Sequence, residues 1–183
     1  MHDIAQNKIL IAQPFLQDPF FRRSVILMAE HHDEGSIGFV MNRPLKMKVK
    51  DLLSNLKEAD YPLYHGGPVA QDQLFFVHKL SDKIRESVYI GSNYYWNGNY
   101  GDLIGLICSN KIKKSDVKFF IGYSGWGEGQ LEGELNTHSW MIADADYKNI
   151  MKDGSNEIWG NELKKMGSKY ANLSKFPDDP WLN

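Results

Sequence analysis

A glycine-rich segment between residues 119 and 135 constrains the fold of this chain more than any other feature. The apolar residues 119–121 predict a buried strand, and residues 130–135 predict the start of a helix. Between them lie four glycines: Gly122, Gly125, Gly127 and Gly129. Because glycine adopts positive φ angles and lets another backbone come close, we predict a specified strand-to-helix turn here rather than a slack linker.

The same segment carries a family resemblance. Its sequence, GYSGWGEGQLE at residues 122–132, is similar to the signature of the YqgE/AlgH family of bacterial proteins. Three further motifs match that family in the expected order: residues 10–14 with 18–27, residues 38–45, and residues 66–69. Together the motifs extend over most of the chain, from about Lys8 to Trp140.

The resemblance implies a fold more than a mechanism. It predicts one compact α+β domain over residues 1–183, with a bent, branched mixed β-sheet of the pseudo-barrel type flanked by short helices, and irregular termini at 1–7 and 175–183. It also implies a role as a transcriptional regulator, a label that rests on genetic association. The family brings no established catalytic residues to this chain.

Charge and length limit the classes of function. At 183 residues the chain is long enough to bury a core without disulfides. Lys and Arg number 21 against 23 Asp and Glu, for a net charge of −2, whereas a dedicated nucleic-acid-binding domain usually has a basic excess. We therefore interpret the lysine groups at 46/48/50, 111/113/114 and 164/165 as solvated surface.

Cysteine content and hydropathy favour a cytoplasmic protein. The single Cys108 lies in the apolar segment 103–108, and we interpret it as a small buried hydrophobic residue rather than a nucleophile. One cysteine is consistent with a reducing compartment. We see neither a signal peptide nor an apolar run of the ~20 residues that a membrane span requires.

Hydrophobic periodicity and turn residues predict the elements. We expect strands at residues 8–13, 24–29, 37–42, 73–80, 87–90, 117–123 and 139–143, a turn capped by Asp18, and helices at 50–56, 102–109, 146–151 and 155–166. In the first helix Leu52, Leu53 and Leu56 should share one buried face. The aromatic segment 93–101 is expected to be a loop packed on the core edge, with a stacking platform as the alternative.

Sequence patterns for catalysis or metal binding are incomplete. A nucleophile elbow at Ser124 needs glycine where the chain has Trp126, so we expect Ser124 to be a small packed residue. The six histidines show none of the familiar metal-ligand spacings. The glutamates beside Gln130 are explained by the helix dipole. We therefore expect no catalytic set, metal or cofactor.

Eight residues are candidates for recognition rather than catalysis: Asn42, Arg43, Gly66, Gly67, Gly125, Trp126, Gln130 and Glu132. Arg43 either binds a carboxylate or phosphate with both guanidinium nitrogens or clamps an acidic loop of its own fold. Three functions stay open. The protein is a regulator acting through a protein partner, a small-ligand-binding protein or enzyme with a cleft near residues 122–132, or a direct DNA binder, which the net charge disfavours.

Overall fold

The computed structural model describes residues 4–53, 56, 60–154 and 156–174. Its strands are β1 (Lys8–Ala12), β2 (Val25–His32), β3 (Gly35–Val40), β4 (Pro44–Lys48), β5 (Pro62–His65), β6 (Val69–His78), β7 (Val88–Gly91), β8 (Tyr94–Trp96), β9 (Val117–Gly127) and β10 (Trp140–Asp144). Its helices are α1 (Val49–Leu52), α2 (Tyr100–Cys108), α3 (Gln130–Asn136), α4 (Tyr147–Ile150), α5 (Asn156–Lys165) and α6 (Ser168–Leu173). No helix in the described ranges is long and apolar enough to cross a membrane.

The strands form one branched sheet. Its main path is β10-β1-β2-β3-β9-β6-β8-β7, and β4 and β5 leave this path beside β9. β5 pairs with β9 in parallel, whereas the neighbours along the main path are antiparallel. The α+β class and the branched, mixed sheet expected from the family resemblance are confirmed, and across the described residues the sheet does not close into a barrel.

β9 is the strand at which the sheet branches. Its first half pairs with β5 and β6, and its last residues pair with β3. Gly122, at φ +68°, lies where the neighbour changes. A Cβ on Gly66 would lie 2.2 Å from the Gly122 carbonyl oxygen, and one on Gly67 would lie 2.3 Å from the Tyr123 backbone. These glycines therefore permit close backbone contact within the chain.

The predicted strand-to-helix turn is shorter than expected. β9 continues to Gly127, so the first glycines belong to the strand, and the turn consists of Glu128 and Gly129. Gly129 has φ +68° and immediately precedes α3. Pairing with β3 explains the difference, because a neighbouring strand keeps Gly125 and Gly127 extended despite their low strand propensity.

The sheet is covered on both faces near β1 and β2. Ile9 and Leu27 belong to the core cluster that includes Trp159 of α5, whereas Leu10 and Ile26 belong to the cluster that includes Leu131 of α3. This explains why β2 reads as a continuous apolar run rather than an alternating one. A third cluster packs α1 and α2 against the first half of β9.

Several predicted details differ from the structure. β4, β5, β8 and α6 were not predicted, and β8 occupies part of the expected aromatic loop. Helix α1 ends at Leu52, which is 41% exposed instead of sharing the buried face with Leu56. Cys108 is exposed rather than buried, because the inward face of α2 is formed by Leu103 and Ile107. Ser155, where the helix 155–166 was predicted to start, and the tail 175–183 lie outside the described residues.

Candidate functional site

A pocket of about 690 Å³ lies where the loop before β2, the end of β3 and the end of β5 meet. We call it the arginine pocket. It is lined by Pro19, Phe20, Arg22, Arg23, Asn42, Arg43, Pro44, Leu45, His65 and Trp159. Three of these residues are arginines, and none carries a carboxylate.

The loop that forms one wall is fixed by Asp18. Its Oδ1 accepts hydrogen bonds from the backbone N–H groups of Phe20 at 2.8 Å and Phe21 at 3.0 Å, as the sequence predicted. Ser24 ends the turn by donating its hydroxyl to the Phe21 carbonyl oxygen at 2.7 Å. The turn thereby places Phe20 and Arg22 together at the pocket.

Asn42 and Arg43 hold this loop against the end of β3. Asn42 is 8% exposed; its Nδ2 donates to the Arg23 carbonyl oxygen at 2.8 Å, and its Oδ1 accepts from the Val25 N–H at 2.9 Å. Arg43 donates to the carbonyl oxygens of Arg22 at 2.8 Å and Pro19 at 3.2 Å. Arg43 therefore braces its own fold, and among the described residues it does so through the carbonyl oxygens of Pro19 and Arg22.

Two aromatic features complete the lining. The Phe20 ring stacks on His65 with centroids 6.3 Å apart and planes 24° apart. The Arg23 guanidinium lies 4.9 Å from the centre of the Trp159 ring, whose Nε1 donates to the Ala12 carbonyl oxygen at 2.9 Å. Burial, and next the charge of Arg43, lower the pKa of His65. The pocket thus combines fixed positive charge with flat aromatic surface.

Among the described lining residues of the arginine pocket, three are positively charged and none is negatively charged. Arg22 is exposed, and its side chain makes no hydrogen bond or ion pair with the part of the chain that the structure describes. A guanidinium offers its N–H donors in a planar fork that matches carboxylate and phosphate oxygens. The site is therefore suited chemically to an anion.

The structure does not gather the eight candidate residues into one cleft. Gly125 and Trp126 line a different pocket of about 400 Å³, together with Glu30, His32, Glu34, Gly35, Ser36, Ile37, Val69 and Tyr123. Among the described residues, this pocket shares no lining residue with the arginine pocket. Gly66 and Gly67 pack against β9, and the Gly66 N–H donates to the Ile121 carbonyl oxygen at 2.8 Å. Gln130 and Glu132, on α3, line neither pocket.

A carboxylate that the sequence did not single out organises the glycine-rich motif. Oε2 of Glu134 accepts from the indole N–H groups of Trp140 at 2.7 Å and Trp126 at 3.1 Å. Gln130 donates its Nε2 to Oε1 of Glu134 at 3.0 Å and accepts from the Gly127 N–H at 3.1 Å. Trp126 and Gln130 are therefore held by internal bonds. The sequence signal was a pair of tryptophans, Trp126 and Trp140, with three glutamates between them.

Ser124 and His78, two of the residues considered for catalysis or metal binding, are hydrogen-bonded within the fold. Ser124 is fully buried, and its hydroxyl donates to the Gly66 carbonyl oxygen at 3.1 Å. His78 is also buried; its Nδ1 accepts from the Leu80 N–H, so Nε2 carries the proton and donates to the Asn97 carbonyl oxygen at 2.9 Å. The described residues contain no group of three or more His, Cys, Asp or Glu arranged for a metal ion.

Sequence reasoning also missed a buried lysine. Lys118 lies in β9 with 3% exposure, and its Nζ donates to the carbonyl oxygens of Lys152 at 2.9 Å and Ile150 at 3.0 Å. The ammonium lies 4.0 Å from the centre of the Tyr64 ring. Burial lowers the pKa of Lys118 to about 7, against the opposing effect of Asp153. The sequence signal for a buried lysine was its position inside the apolar segment 117–121.

Comparison with known proteins defines the class first. The fold resembles the crystal structure of a protein from Corynebacterium diphtheriae, with a TM-score of 0.77, 23% identity and coverage of 96% of this chain and 94% of that one. It also resembles the solution structure of the AlgH protein from Pseudomonas aeruginosa, with a TM-score of 0.76, 24% identity and coverage of 98% and 100%. These likenesses show an α+β protein with an AlgH-type sheet.

The family follows from the sequence comparisons. The family model described as AlgH-like matches residues 9–171. The chain is 41% identical over 181 residues to a UPF0301 protein of Cytophaga hutchinsonii, covering 98% of this chain and 100% of that protein. It is 39% identical over 177 residues to a UPF0301 protein of Chlorobaculum tepidum, covering 97% and 95%. The chain belongs to the AlgH-like family, which confirms the resemblance seen in its motifs.

Proposed function

We propose that this protein binds a small anionic ligand in the arginine pocket and acts as a ligand-dependent regulatory protein. The observation that carries the proposal is the lining of this pocket of about 690 Å³, in which the described residues include three arginines and no carboxylate. That volume lies within the range of roughly 300–1,000 Å³ typical of small-molecule sites. Carboxylates and phosphates are the anions that a guanidinium fork matches best.

The arginine pocket is also placed to transmit occupancy. A ligand held by Arg22 would contact the loop that Asn42 and Arg43 tie to the end of β3. Ordering this loop by a bound anion would favour one arrangement of the neighbouring surface, which is how a ligand shifts a conformational equilibrium. A protein partner that reads this surface belongs to the proposal, and the cytoplasmic location stays a prediction.

Direct DNA binding is less well supported. Lys48, Lys50 and Lys114, from two of the lysine groups in the sequence, converge on Asp60, and the resulting ion pairs hold the pKa of that carboxyl well below its usual value. This arrangement reduces the charge available for phosphate contacts. Titration of the protein with genomic DNA fragments across salt concentrations tests the alternative, since direct binding should weaken steeply with salt.

Calorimetry and thermal unfolding with pyrophosphate, citrate and sodium chloride at matched ionic strength test the proposed function. We expect saturable binding of at least one polyvalent anion, with stabilisation of about 2.7 kcal/mol at a concentration 100 times its Kd. Arg22→Gln should weaken binding at least about tenfold, since it removes a charged donor. The matched control Lys111→Gln removes an exposed charge outside the pocket lining. Equal responses of both variants, or no saturable binding, would refute the proposal.

A further inference from the structure

The arginine pocket offers more than charge, because one wall is an exposed aromatic ring. Phe20 is 46% exposed, although a phenylalanine gains most by burial. One face of its ring is stacked on His65, which fixes the orientation of the ring. A flat surface that is held in place before binding loses little conformational freedom when a planar group stacks on it.

Binding of an inorganic anion does not account for the exposed aromatic wall of the arginine pocket. A single phosphate or carboxylate is bound through a guanidinium group and has no planar surface that could stack on the Phe20 ring. A purely apolar ligand would make no use of the Arg22 guanidinium, whose N–H donors match phosphate and carboxylate oxygens. A molecule that carries a planar ring and an anionic group uses both features at once.

We infer that the ligand is a mononucleotide, whose base stacks on Phe20 and whose phosphate is bound by Arg22. This inference rests on the proposed function and specifies its ligand class. Stacking of a base on an aromatic side chain contributes about 1–3 kcal/mol and tolerates every base, since each has a π face. Arginine binds phosphate oxygens with both nitrogens of its planar fork.

The overall charge favours a free nucleotide over a nucleic acid strand. Binding along a strand requires a positively charged groove that follows several phosphates. Here the net charge is −2, and the three arginines are gathered in one pocket. The pocket volume of about 690 Å³ accommodates one nucleotide rather than several.

Isothermal titration of the full chain with a graded set of phosphates tests the inference. The probes are pyrophosphate, ribose 5-phosphate, the four ribonucleoside monophosphates and a short single-stranded oligonucleotide. We expect at least one monophosphate to bind about tenfold or more tightly than ribose 5-phosphate, as the stacking contribution requires. Phe20→Leu, which keeps an apolar side chain without a ring, should reduce this ratio to about one.

A matched variant separates the ring from general apolar surface. Phe15→Leu changes another exposed phenylalanine, 67% exposed, that does not line this pocket, and it should keep the wild-type ratio. Arg22→Gln should weaken ribose 5-phosphate and the nucleotide together. Equal binding of nucleotide and ribose 5-phosphate by the wild type would overturn the nucleotide inference and leave anion binding intact. Failure of every anion would refute both, and tighter binding of the oligonucleotide than of any mononucleotide would overturn the choice of a free nucleotide.

Discussion

Burial of Lys118 predicts that the protein becomes more stable as the pH rises from 7 to 9. Its Nζ lies inside the fold, bonded to the Ile150 and Lys152 carbonyl oxygens and facing the Tyr64 ring. These contacts and the charge of Asp153 favour the ammonium, but desolvation outweighs them and lowers the pKa from 10.5 to about 7. Folding therefore promotes loss of a proton from this side chain at neutral and mildly alkaline pH.

The sign and size follow from proton linkage. Between the folded and unfolded pKa values of Lys118, about 7 and 10.5, the unfolded chain binds more protons, so the free energy of unfolding rises with pH. The slope approaches about 1.4 kcal/mol per pH unit once the folded lysine is neutral. Integrated from pH 7 to pH 9, this contribution is about 2 kcal/mol. Below the folded pKa the lysine is charged in both states, and the contribution becomes constant.

Urea unfolding of the wild type and Lys118→Met, followed by tryptophan fluorescence at pH 7, 8 and 9, measures this contribution. The wild type should gain about 2 kcal/mol more than the variant over this interval, because methionine keeps an apolar stem but has no proton to lose. Lys111→Met, at an exposed position, should follow the wild-type pH dependence. Parallel pH profiles for the wild type and Lys118→Met would refute the reasoning and show that the buried lysine keeps its proton.

Three further predictions concern the site and the motifs. Glu134→Ala should lower the free energy of unfolding in urea by about 2–4 kcal/mol, because it leaves the indole N–H groups of Trp126 and Trp140 unpaired. The control Glu132→Ala should lower the free energy of unfolding much less. The affinity for sulfate, whose own charge does not change in this range, should increase as the pH falls below about 6.5, because a bound anion favours the protonated form of His65. In the His65→Gln variant the sulfate affinity should not depend on pH in this way. Cys108 is exposed, so a thiol reagent should modify the native protein as fast as the urea-unfolded chain, and full protection would contradict its placement.

The sequence predicted elements well where the local pattern and the tertiary environment agree. β1, β2 and α5 have strong apolar patterns, and they appear close to their predicted bounds. The predicted strand 117–123 ended too early, because strand propensity does not include the pairing with β3 that keeps the later glycines of β9 extended. Cys108 was misplaced because an apolar helix segment does not reveal which face is inward until the rotation of the helix is known.

The candidate site was predictable only in part. Arg43 stood out because it lies at a strand end before Pro44, where its guanidinium can bind an anion or brace its own fold, and Asn42 was a candidate beside it. Phe20, His65 and Trp159 could not be assigned with them, since they come from distant parts of the chain and meet only through tertiary structure. Glutamates beside the glycine turn were explained by the helix dipole, which missed the specific bonds that Glu134 makes to two indoles.

The motifs and the pocket are connected through the branch in the sheet. The segment 18–27 supplies the loop with Phe20, Arg22 and Arg23, and the segment 38–45 supplies Asn42 and Arg43, which brace it. Gly66 and Gly67, which follow β5, let this strand lie close to β9. The last residue of β5, His65, then stacks against the Phe20 ring. A side chain at Gly67 would overlap the Tyr123 backbone and force β5 away from β9, which would separate His65 from the loop. The glycine motifs are therefore explained by the geometry that brings the pocket walls together, and the groups that would contact a ligand belong to the neighbouring segments.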